Sequence, residues 1–264
     1  MNTLLSLGAY CCCLLSAFFF VLKNFKKSRR WEGLGLAFFK AAFAFLSFLV
    51  LLRWYRAGRP PFANMYEALV LFAWSVALVY AVFEYLYKAA FLAVPANALC
   101  IFLLSLTWPQ DAAIKPLMPA LQSSWMAVHV VTYFIGYAAL ALAFVLSAGY
   151  LVASRRRPQQ APVLLVMDNL SYQLIIFAFP FITIGMTTGS AWANVAWGSY
   201  WFWDPKETCS LITWLVYAVY LHGRLLLGWK QRPAAWLSAL GFLATLFTFV
   251  GVNYILPGLH SYTQ

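Results

Sequence analysis

The sequence predicts an all-α, polytopic membrane protein with about eight transmembrane helices. Of its 264 residues, 64% are hydrophobic and 9% are charged, whereas soluble globular domains have about 25% charged residues. Apolar runs of close to 20 residues recur along the chain, and about 20 residues is the length that a helix needs to cross a membrane. We therefore expect one membrane domain over 1–264, with 1–60 as a first helix pair and 61–264 as the core that carries the candidate functional residues.

Eight apolar runs define the predicted spans. The approximate ranges are 3–22, 34–54, 65–86, 90–107, 125–153, 168–192, 208–228 and 235–256. The fifth and sixth are long enough to tilt or to protrude, and the fourth is expected to kink at Pro95. The first run has no basic segment before it and no small-residue cleavage site, so we interpret it as a retained helix and not as a signal peptide.

The basic residues predict the orientation of the chain. The net charge of +11 is typical of some nucleic-acid-binding proteins, but here the basic residues lie between apolar runs, as in cytoplasmic loops of membrane proteins. The connections after the first, third, fifth and seventh spans hold twelve Lys and Arg, the opposite side holds five, and Lys40 lies within the second span. This asymmetry predicts that both termini are extracytoplasmic and excludes nucleic acid as a partner.

The cysteines do not indicate a redox function. The five are Cys11, Cys12, Cys13, Cys100 and Cys209, and no two of them form a C-x-x-C motif. Cys11, Cys12, Cys13 and Cys100 fall well inside predicted spans, where cysteine behaves as a small hydrophobic residue. We expect inert packing and no thiol–disulfide chemistry in this chain.

The most informative segment is the aromatic run Trp197 to Glu207, with the sequence WGSYWFWDPKE. It falls in the predicted outer loop 192–207, between the sixth and seventh spans. Aromatic side chains are common at membrane interfaces, but there they are dispersed, whereas here they crowd into one glycine-containing loop. An aromatic surface with a few charges suits a large, planar, amphipathic ligand.

Three histidines are the only ones in the chain: His129, His222 and His260. The predicted topology places His129 and His260 on the same side as the tryptophan-rich loop. Two imidazoles can hold haem iron from both faces, so these elements predict one outer haem site. His222 lies 14 residues beyond Thr208, about 21 Å along a helix, and is expected near the inner side. It is either a hydrogen-bond donor to a neighbouring helix or a ligand to a second haem whose opposite ligand comes from another polypeptide.

Two further segments have alternative interpretations. Asp204 and Glu207 flank Pro205 at the start of the seventh span, where acidic residues suit helix capping as well as ligand contact. The arginines of the segment from Arg53 to Glu67 suit haem propionates and equally suit lipid headgroups.

These motifs resemble the haem-handling protein family of cytochrome c maturation, whose signature is a tryptophan-rich loop of the form WGxYWxWDPKE. Within it the chain is most similar to the CcsA (ResC) group, the channel subunit of the system II cytochrome c synthase. The resemblance begins near residue 53 and depends on 64–67, 125–137, 168–172, 192–207, 220–222 and 251–262. The first two spans match only in general character.

The resemblance implies a site and a reaction. Haem b would be bound near His222 and then at an outer site, with His129 and His260 as iron ligands and a tryptophan-rich surface below the ring. Its residues would include Trp192, Trp197, Trp201, Trp203 and Asp204. There the Cys-x-x-Cys-His of apocytochrome c would form thioether bonds with the haem, a holocytochrome c synthase (haem lyase) activity, and we assign no catalytic acid or base.

The resemblance also implies partners and a location. A CcsB (ResB)-like membrane subunit would supply the missing inner ligand opposite His222. The chain would be an integral multi-pass protein of a bacterial inner membrane or a thylakoid, with the tryptophan-rich loop outside the cytoplasm.

Three other functions are compatible with parts of the pattern. A haem exporter that passes haem to an outer chaperone without forming thioethers would have the same outer site, but it would not need His222. A respiratory b-type cytochrome requires pairs of histidines on facing helices, and only one buried histidine is predicted. A regulatory membrane protein without haem chemistry would not need an intact tryptophan-rich motif.

Overall fold

The structure is a computed structural model, and it describes residues 2–26, 28–117, 119–156 and 161–255. Every regular element in these ranges is helical. The α-helices are α1 (Asn2–Lys26), α2 (Arg29–Ala57), α3 (Met65–Tyr87), α4 (Ala93–Ser105), α5 (Ser124–Arg156), α6 (Ala161–Trp197), α7 (Pro205–Leu225), α8 (Arg232–Leu246) and α9 (Val252–Ile255). Within the same ranges, six helices are long and apolar enough to cross a membrane, namely α1, α2, α3, α5, α6 and α8 with its extension. The predicted fold class of a polytopic all-α membrane protein is confirmed.

Two of the eight predicted spans are shorter or more polar than expected. The fourth consists of a 3-10 turn at Ala90–Leu92 followed by the 13 residues of α4, about 20 Å of helix at 1.5 Å per residue. Pro95 lies in the first turn of α4, where its missing N–H would have no helical partner, so it does not kink a longer helix as predicted. The seventh span is α7, which does not reach the apolarity of the six long helices.

The chain forms two compact units, residues 1–122 and 123–264. In the first unit α1 packs against α2 and α4, and α3 packs against α2 and α4. Polar side chains join these helices: the Ser16 hydroxyl donates to the Gly35 carbonyl at 2.8 Å, and the Asn97 amide donates to the Cys13 carbonyl at 3.0 Å. Cys13 and Cys100 are buried, as expected of packing residues, whereas Cys11 is exposed.

The second unit is built on α5 and α6, which make the most extensive helix contact in the molecule. At 33 and 37 residues they are about 50 and 55 Å long, well beyond the roughly 30 Å of a hydrocarbon core. Because of this excess length, we expect these two helices to tilt or to protrude from the membrane. The hydroxyl of Ser147 contacts those of Ser171 and Ser238 at 2.7 and 2.9 Å, which joins α5 to α6 and α8 inside the unit.

The helix of the eighth span continues beyond α8 in an unusual form. Residues Phe247–Gly251 form a π-helix, and α9 follows without a break. π-Helical turns are rare and are often found at functional sites. Thr248 of this turn is buried, and its hydroxyl contacts that of Thr213 on α7 at 3.1 Å.

Candidate functional site

A cleft of about 190 Å³ lies within the second unit, at the end of the unit where α6 meets α7. It is lined by side chains of α5, α6, α7, the π-helix and the tryptophan-rich segment. Its lining residues include Met126, His129, Tyr133, Tyr137, Met186, Gly189, Trp192, Trp201, Lys206, Glu207 and Thr248. Three of the predicted site residues, His129, Trp192 and Trp201, therefore share one cleft.

The imidazole of His129 has a defined tautomer. Its Nδ1 lies 2.8 Å from the carbonyl oxygen of Gly185, and a carbonyl can only accept, so Nδ1 carries a proton and, in the neutral ring, Nε2 carries the lone pair. Histidine ligands of metals generally donate their second ring N–H in this way, which fixes the ring and raises its basicity. The arrangement fits an imidazole that binds a metal through Nε2.

Glycines on α6 make room for the aromatic side chains of α5. A Cβ at Gly189 would collide with Nδ1 of His129, and a Cβ at Gly185 would lie 2.8 Å from the Tyr133 ring. One turn further, a Cβ at Gly136 of α5 would lie 2.7 Å from Ile182 of α6. His129 and Tyr133 are four residues apart, as are Gly185 and Gly189, so the two antiparallel helices interlock at helical spacing.

The sequence contained a signal for this contact that we did not use. Gly185 to Gly189 is a G-x-x-x-G motif inside an apolar helix, a pattern that lets two membrane helices approach closely. Tyr133 and Tyr137 line the cleft one and two turns below His129. They were missed for a different reason, because tyrosine in an apolar run has no distinctive spacing of its own.

Trp192 forms one wall of the site. It is 5% exposed, its ring is stacked on that of His129 with centroids 6.2 Å apart, and Trp197 meets it edge-on at 4.7 Å. Both tryptophans belong to the last turns of α6 and not to a loop. The predicted loop 192–207 is thus too long: residues 192–197 are helical, Lys206 and Glu207 belong to α7, and only 198–204 lie outside helices.

The short segment 198–204 has a well-defined backbone. Gly198 adopts φ +82° and its N–H donates to the Asn194 carbonyl at 2.9 Å, which ends α6 with a residue in a conformation that favours glycine. The Ser190 hydroxyl donates to the Tyr200 carbonyl at 2.8 Å and holds the segment against α6. Trp203 also has a positive φ, +57°, an uncommon conformation for a residue other than glycine.

Aromatic side chains of this segment point in two directions. Tyr200, Phe202 and Trp203 are 61%, 43% and 69% exposed. Trp201 is half-buried in the cleft, edge-on to Trp203 at 5.8 Å, and its indole Nε1 is buried with no hydrogen-bond partner among the described residues. A buried indole N–H without an acceptor is costly, and Nε1 of Trp201 is therefore an unused donor beside the cleft.

The charged end of the motif organises the start of α7. Asp204 is the N-cap residue and accepts from the Lys206 N–H at 3.0 Å, while the Glu207 carboxylate accepts from the N–H groups of Phe202 and Asp204 at 2.8 and 3.2 Å. This is a complete capping box with Pro205 in the first turn, so the capping interpretation of the two acidic residues is confirmed. Contact of Asp204 with a ligand stays a prediction.

Lys206 is the cation of the cleft. It precedes the predicted span 208–228, and burial lowers the pKa of its ammonium to about 8, an effect that the negative charge of Asp204 opposes. An anionic group in the cleft would favour the charged form of Lys206.

His222 does not line the cleft. His222 lies in the last turn of α7, four turns from the motif, with an exposed side chain. His260, with Pro257 and Gly258, falls outside the described residues. Within those residues, no group of three His, Cys, Asp or Glu side chains could hold a metal ion by itself.

The end of α7 that carries His222 is anchored to the start of α6. Asp168 receives two hydrogen bonds of 2.9 Å from Nη1 of Arg224 and one of 3.0 Å from the Gln231 N–H, and the guanidinium of Arg224 lies over the Tyr172 ring. These contacts place His222 on a rigid part of the second unit.

In the first unit, the segment from Arg53 to Glu67 forms a largely closed polar network, although Nε of Arg53 is buried without a hydrogen-bond partner among the described residues. Arg53 and Glu67 are both 0% exposed and are joined by a 2.8 Å bond from Nη2 to Oε1, and Arg59 donates to Oε2 at 3.0 Å. The two arginines also donate to the carbonyls of Ala112 and Lys115. Neither propionate nor lipid is needed to account for Arg53 and Arg59, which hold the connection after α4 in place.

Comparison with known proteins identifies the family of this chain. The family described as "Cytochrome C assembly protein" matches residues 62–260. The chain belongs to the cytochrome c assembly protein family. The match begins close to residue 53, where the motif resemblance was expected to begin, and it leaves the first helix pair outside.

Individual relatives carry the name "Cytochrome c biogenesis protein CcsA". The chain is 41% identical to that of Chlamydomonas reinhardtii over 82% of this chain and 65% of the relative. It is 33% identical to that of Chlorella vulgaris over 94% and 92% of the two chains, and 35% identical to that of Prochlorococcus marinus over 87% and 88%. The resemblance to the CcsA group is therefore confirmed, as is an integral, multi-pass membrane protein.

A solved structure shares the fold. The protein titled "Cytochrome c Heme Lyase CcmF" superimposes with a TM-score of 0.71 at 20% identity, over 95% of this chain and 46% of that chain. The likeness extends to nearly all of this chain, so helices outside the family match, α1 and α2, belong to the same architecture.

Proposed function

We propose that this chain binds haem as a substrate in the His129 cleft and presents it for thioether attachment to apocytochrome c. The observation that carries the proposal is the hydrogen bond from Nδ1 of His129 to the Gly185 carbonyl, because it gives a membrane protein an oriented imidazole with its lone pair on Nε2. Membership of the cytochrome c assembly family supports haem as the ligand.

The other groups of the cleft fit the same ligand. Trp192 and Trp201 offer aromatic faces, and haem carries carboxylates that would accept a hydrogen bond from Nε1 of Trp201 and pair with Lys206. The cleft of about 190 Å³ is smaller than typical sites of about 300–1,000 Å³ for whole small molecules. Part of the ring would therefore lie outside it, against the exposed side chains of Tyr200, Phe202 and Trp203.

His260 completes the outer site in this proposal. A second imidazole is required for two-sided ligation of the iron, and His260 is the remaining histidine predicted on the same side. Trp197 and Asp204 act indirectly. Trp197 packs against Trp192, and Asp204 fixes the start of α7 and therefore the position of Lys206.

His222 is proposed as the inner ligand, together with a histidine of a CcsB (ResB)-like subunit. On α7, Ile212, Leu215, Val219 and Leu226 share its face at spacings of three and four residues, and they are 48–72% exposed. An apolar stripe at this spacing is the pattern of a helix that packs against another helix. In this proposal His222 acts as an iron ligand, which is the second of its two interpretations, and not as a hydrogen-bond donor to a neighbouring helix.

The reaction requires the chain mainly to position haem next to the cysteine thiols of apocytochrome c. Addition of a cysteine thiol to a vinyl group of haem forms a C–S bond, and the thiol proton ends on the adjacent carbon, without net oxidation or reduction. Holding the two reactants together supplies the main advantage. We assign haem b as the bound form, no catalytic acid or base, and holocytochrome c synthase as the activity of the complex. The outer location of the cleft and of both termini rests on the distribution of Lys and Arg.

The test is co-expression of the chain with a CcsB-like subunit and a reporter apocytochrome in cells without another cytochrome c synthase. His129→Ala is expected to lose the haem absorption of the purified complex at the outer site and to abolish covalently bound haem in the reporter, with partial recovery on added imidazole. Trp201→Phe removes only the indole N–H and should weaken haem retention. Trp236→Phe, on the exposed face of α8, is the matched control and should match the parent.

The readouts separate the proposal from a haem exporter. A haem-loaded complex that never yields covalent reporter haem would favour export to a chaperone. Parental haem content and reporter maturation in His129→Ala would overturn the proposed site altogether.

A further inference from the structure

The first unit contains a second cavity, of about 260 Å³, between α2 and α3. Its walls include Phe39, Phe43, Ala77 and Ala81, which are apolar, and its polar lining consists of Lys40, Tyr80, Glu84 and Lys88. Lys40 and Glu84 lie inside helices long and apolar enough to cross a membrane. Ionisable residues in such helices are costly and are candidates for function.

Two residues that line this cavity each have a buried oxygen atom without a partner. The Tyr80 side chain is 3% exposed, and its hydroxyl has no hydrogen bond in the part of the chain that the structure describes. Oε2 of Glu84 is likewise buried without a donor. The two residues are one helical turn apart on α3, so both atoms are presented on the same side. Each unmade hydrogen bond is costly in an apolar setting, which points to a donor that enters from outside the chain.

The cations are arranged around the mouth of the cavity. Lys40 and Lys88 are both exposed, and the ammonium of Lys88 lies 5.5 Å from the centre of the Tyr85 ring. The backbone of Lys88 is also fixed, since its N–H donates to the Glu84 carbonyl at 3.0 Å and ends α3. Long basic side chains at the end of a membrane helix extend towards the headgroup layer. The cavity therefore has a carboxylate and a hydroxyl inside and two cations outside.

We propose that this cavity binds the headgroup of phosphatidylethanolamine. Its primary ammonium offers the N–H donors that Glu84 and Tyr80 lack, and its phosphodiester complements Lys40 and Lys88. A ligand of one charge alone would leave either the carboxylate or the two lysines unmatched. The cavity of about 260 Å³ is smaller than the pockets of about 300–1,000 Å³ that hold whole small molecules. This size suits the headgroup alone, with the acyl chains outside the cavity. Acyl chains would continue along the exposed apolar surface of α2, where Phe48 is 55% exposed.

The distribution of Lys and Arg places this end of α2 and α3 on the predicted cytoplasmic side. The site is therefore expected in the cytoplasmic leaflet. It is independent of the His129 cleft, which belongs to the second unit.

Native mass spectrometry of the purified full chain in detergent tests the proposal. We expect retention of added phosphatidylethanolamine over phosphatidylcholine, whose quaternary ammonium has no N–H, and over phosphatidylglycerol, which has no cation. Glu84→Gln and Tyr80→Phe should each lower the apparent affinity for phosphatidylethanolamine about tenfold, the effect of one lost hydrogen bond to a charged group. Tyr55→Phe, 87% exposed on α2, is the matched control and should bind like the parent.

Two further arms make the outcome decisive. Soluble glycerophosphoethanolamine, which has the headgroup without acyl chains, should bind more weakly than the lipid, and equal binding would contradict a lipid site. The melting temperature of each variant separates loss of binding from loss of folding. Equal retention of the ethanolamine and choline lipids, or unchanged binding in both folded variants, would overturn the proposal.

Discussion

The segments that follow α2 and α6 are both short and flanked by charged residues, yet the carboxylates of the two regions serve different purposes. After α2, Glu67 accepts from Arg53, Arg59 and the Ala63 N–H, at 2.7–3.0 Å, and the side chains of Arg53 and Glu67 are fully buried. After α6, the Asp204 and Glu207 carboxylates are used for capping, but Nε1 of Trp201 is buried without an acceptor and Trp203 is 69% exposed.

The difference separates a structural region from the candidate site. Both carboxylate oxygens of Glu67 accept from arginine and backbone donors, and a buried network of this kind stabilises one conformation. Exposed aromatic rings next to an oriented imidazole offer surfaces on which the proposed ligand would lie. The two segments also differ in aromatic content: 58–64 contains Phe62 alone, which is buried, whereas 198–204 contains four aromatic residues, of which Tyr200, Phe202 and Trp203 are exposed.

The largest expected effect is on the closed network. Glu67→Ala leaves Arg53 buried without its carboxylate, and breaking a buried pair in this way costs about 3–5 kcal/mol. We expect a strongly reduced free energy of unfolding, or a low folded yield, measured by denaturation in detergent. Glu32→Ala, which breaks the more exposed pair with Lys23, is the control and should cost at most about 1 kcal/mol. Similar values for the two variants would remove the structural role of the network.

Gly189→Ala tests whether the second region depends on the orientation of His129. The new methyl group collides with the imidazole, and overpacking of this kind costs about 1–3 kcal/mol. Gly136→Ala introduces a similar contact, 2.7 Å from Ile182, away from the ring. We expect comparable losses of stability but loss of haem binding only in Gly189→Ala, measured by melting temperature and absorption spectrum. Equal haem binding by both would show that the ring tolerates displacement.

Asp204→Ala removes the N-cap of α7. The expected loss of stability is about 1 kcal/mol, accompanied by weaker haem binding through displacement of Lys206. Asp204→Asn retains a side-chain acceptor at the N-cap and should remain close to the parent in stability, as measured by thermal unfolding. If Asn keeps the parental stability but loses haem binding as Ala does, the charge of Asp204 acts on the ligand and capping is secondary.

The smallest effect is expected at Asp111, in the exposed connection after α4. Its hydrogen bond to Lys115 holds the pKa of the Asp111 carboxyl below its usual value, with help from the Ala113 N–H. Any stabilisation from this pair is present above the usual pKa and is lost as the pH falls through the lowered one. Because the pair is exposed, we expect Asp111→Asn to have the parental unfolding midpoint at pH 7. A clear destabilisation would extend the network of Glu67 to the surface of the connection.

Much of the fold could be predicted because hydropathy and length are local properties. The six long helices correspond to six predicted runs, and three residues of WGSYWFWDPKE, namely Trp201, Lys206 and Glu207, line the cleft. The bounds of the loop were wrong because Trp192 and Trp197 suit the end of an apolar helix as well as a loop. Only Gly198, with φ +82°, marks the point at which α6 ends.

The missing part of the site depends on contacts between helices. Nothing in the sequence pairs His129 with Gly185, 56 residues away, or Arg53 with Glu67 in preference to a ligand. The Gly185–Gly189 spacing gave the nearest indication, and it identifies a close approach without identifying the partner helix. The ligand role of His260 and the partner of His222 stay predictions.

The carbonyl that holds His129 belongs to the interior of α6, five residues after Pro180. Proline removes one rung of a helix and makes bending easier there. A bend near this point would lengthen the Nδ1 contact and weaken the electron donation of the imidazole to a bound metal. The absorption maximum of the haem-loaded protein would then report bending of α6, including bending caused by a partner that docks on this helix from the membrane.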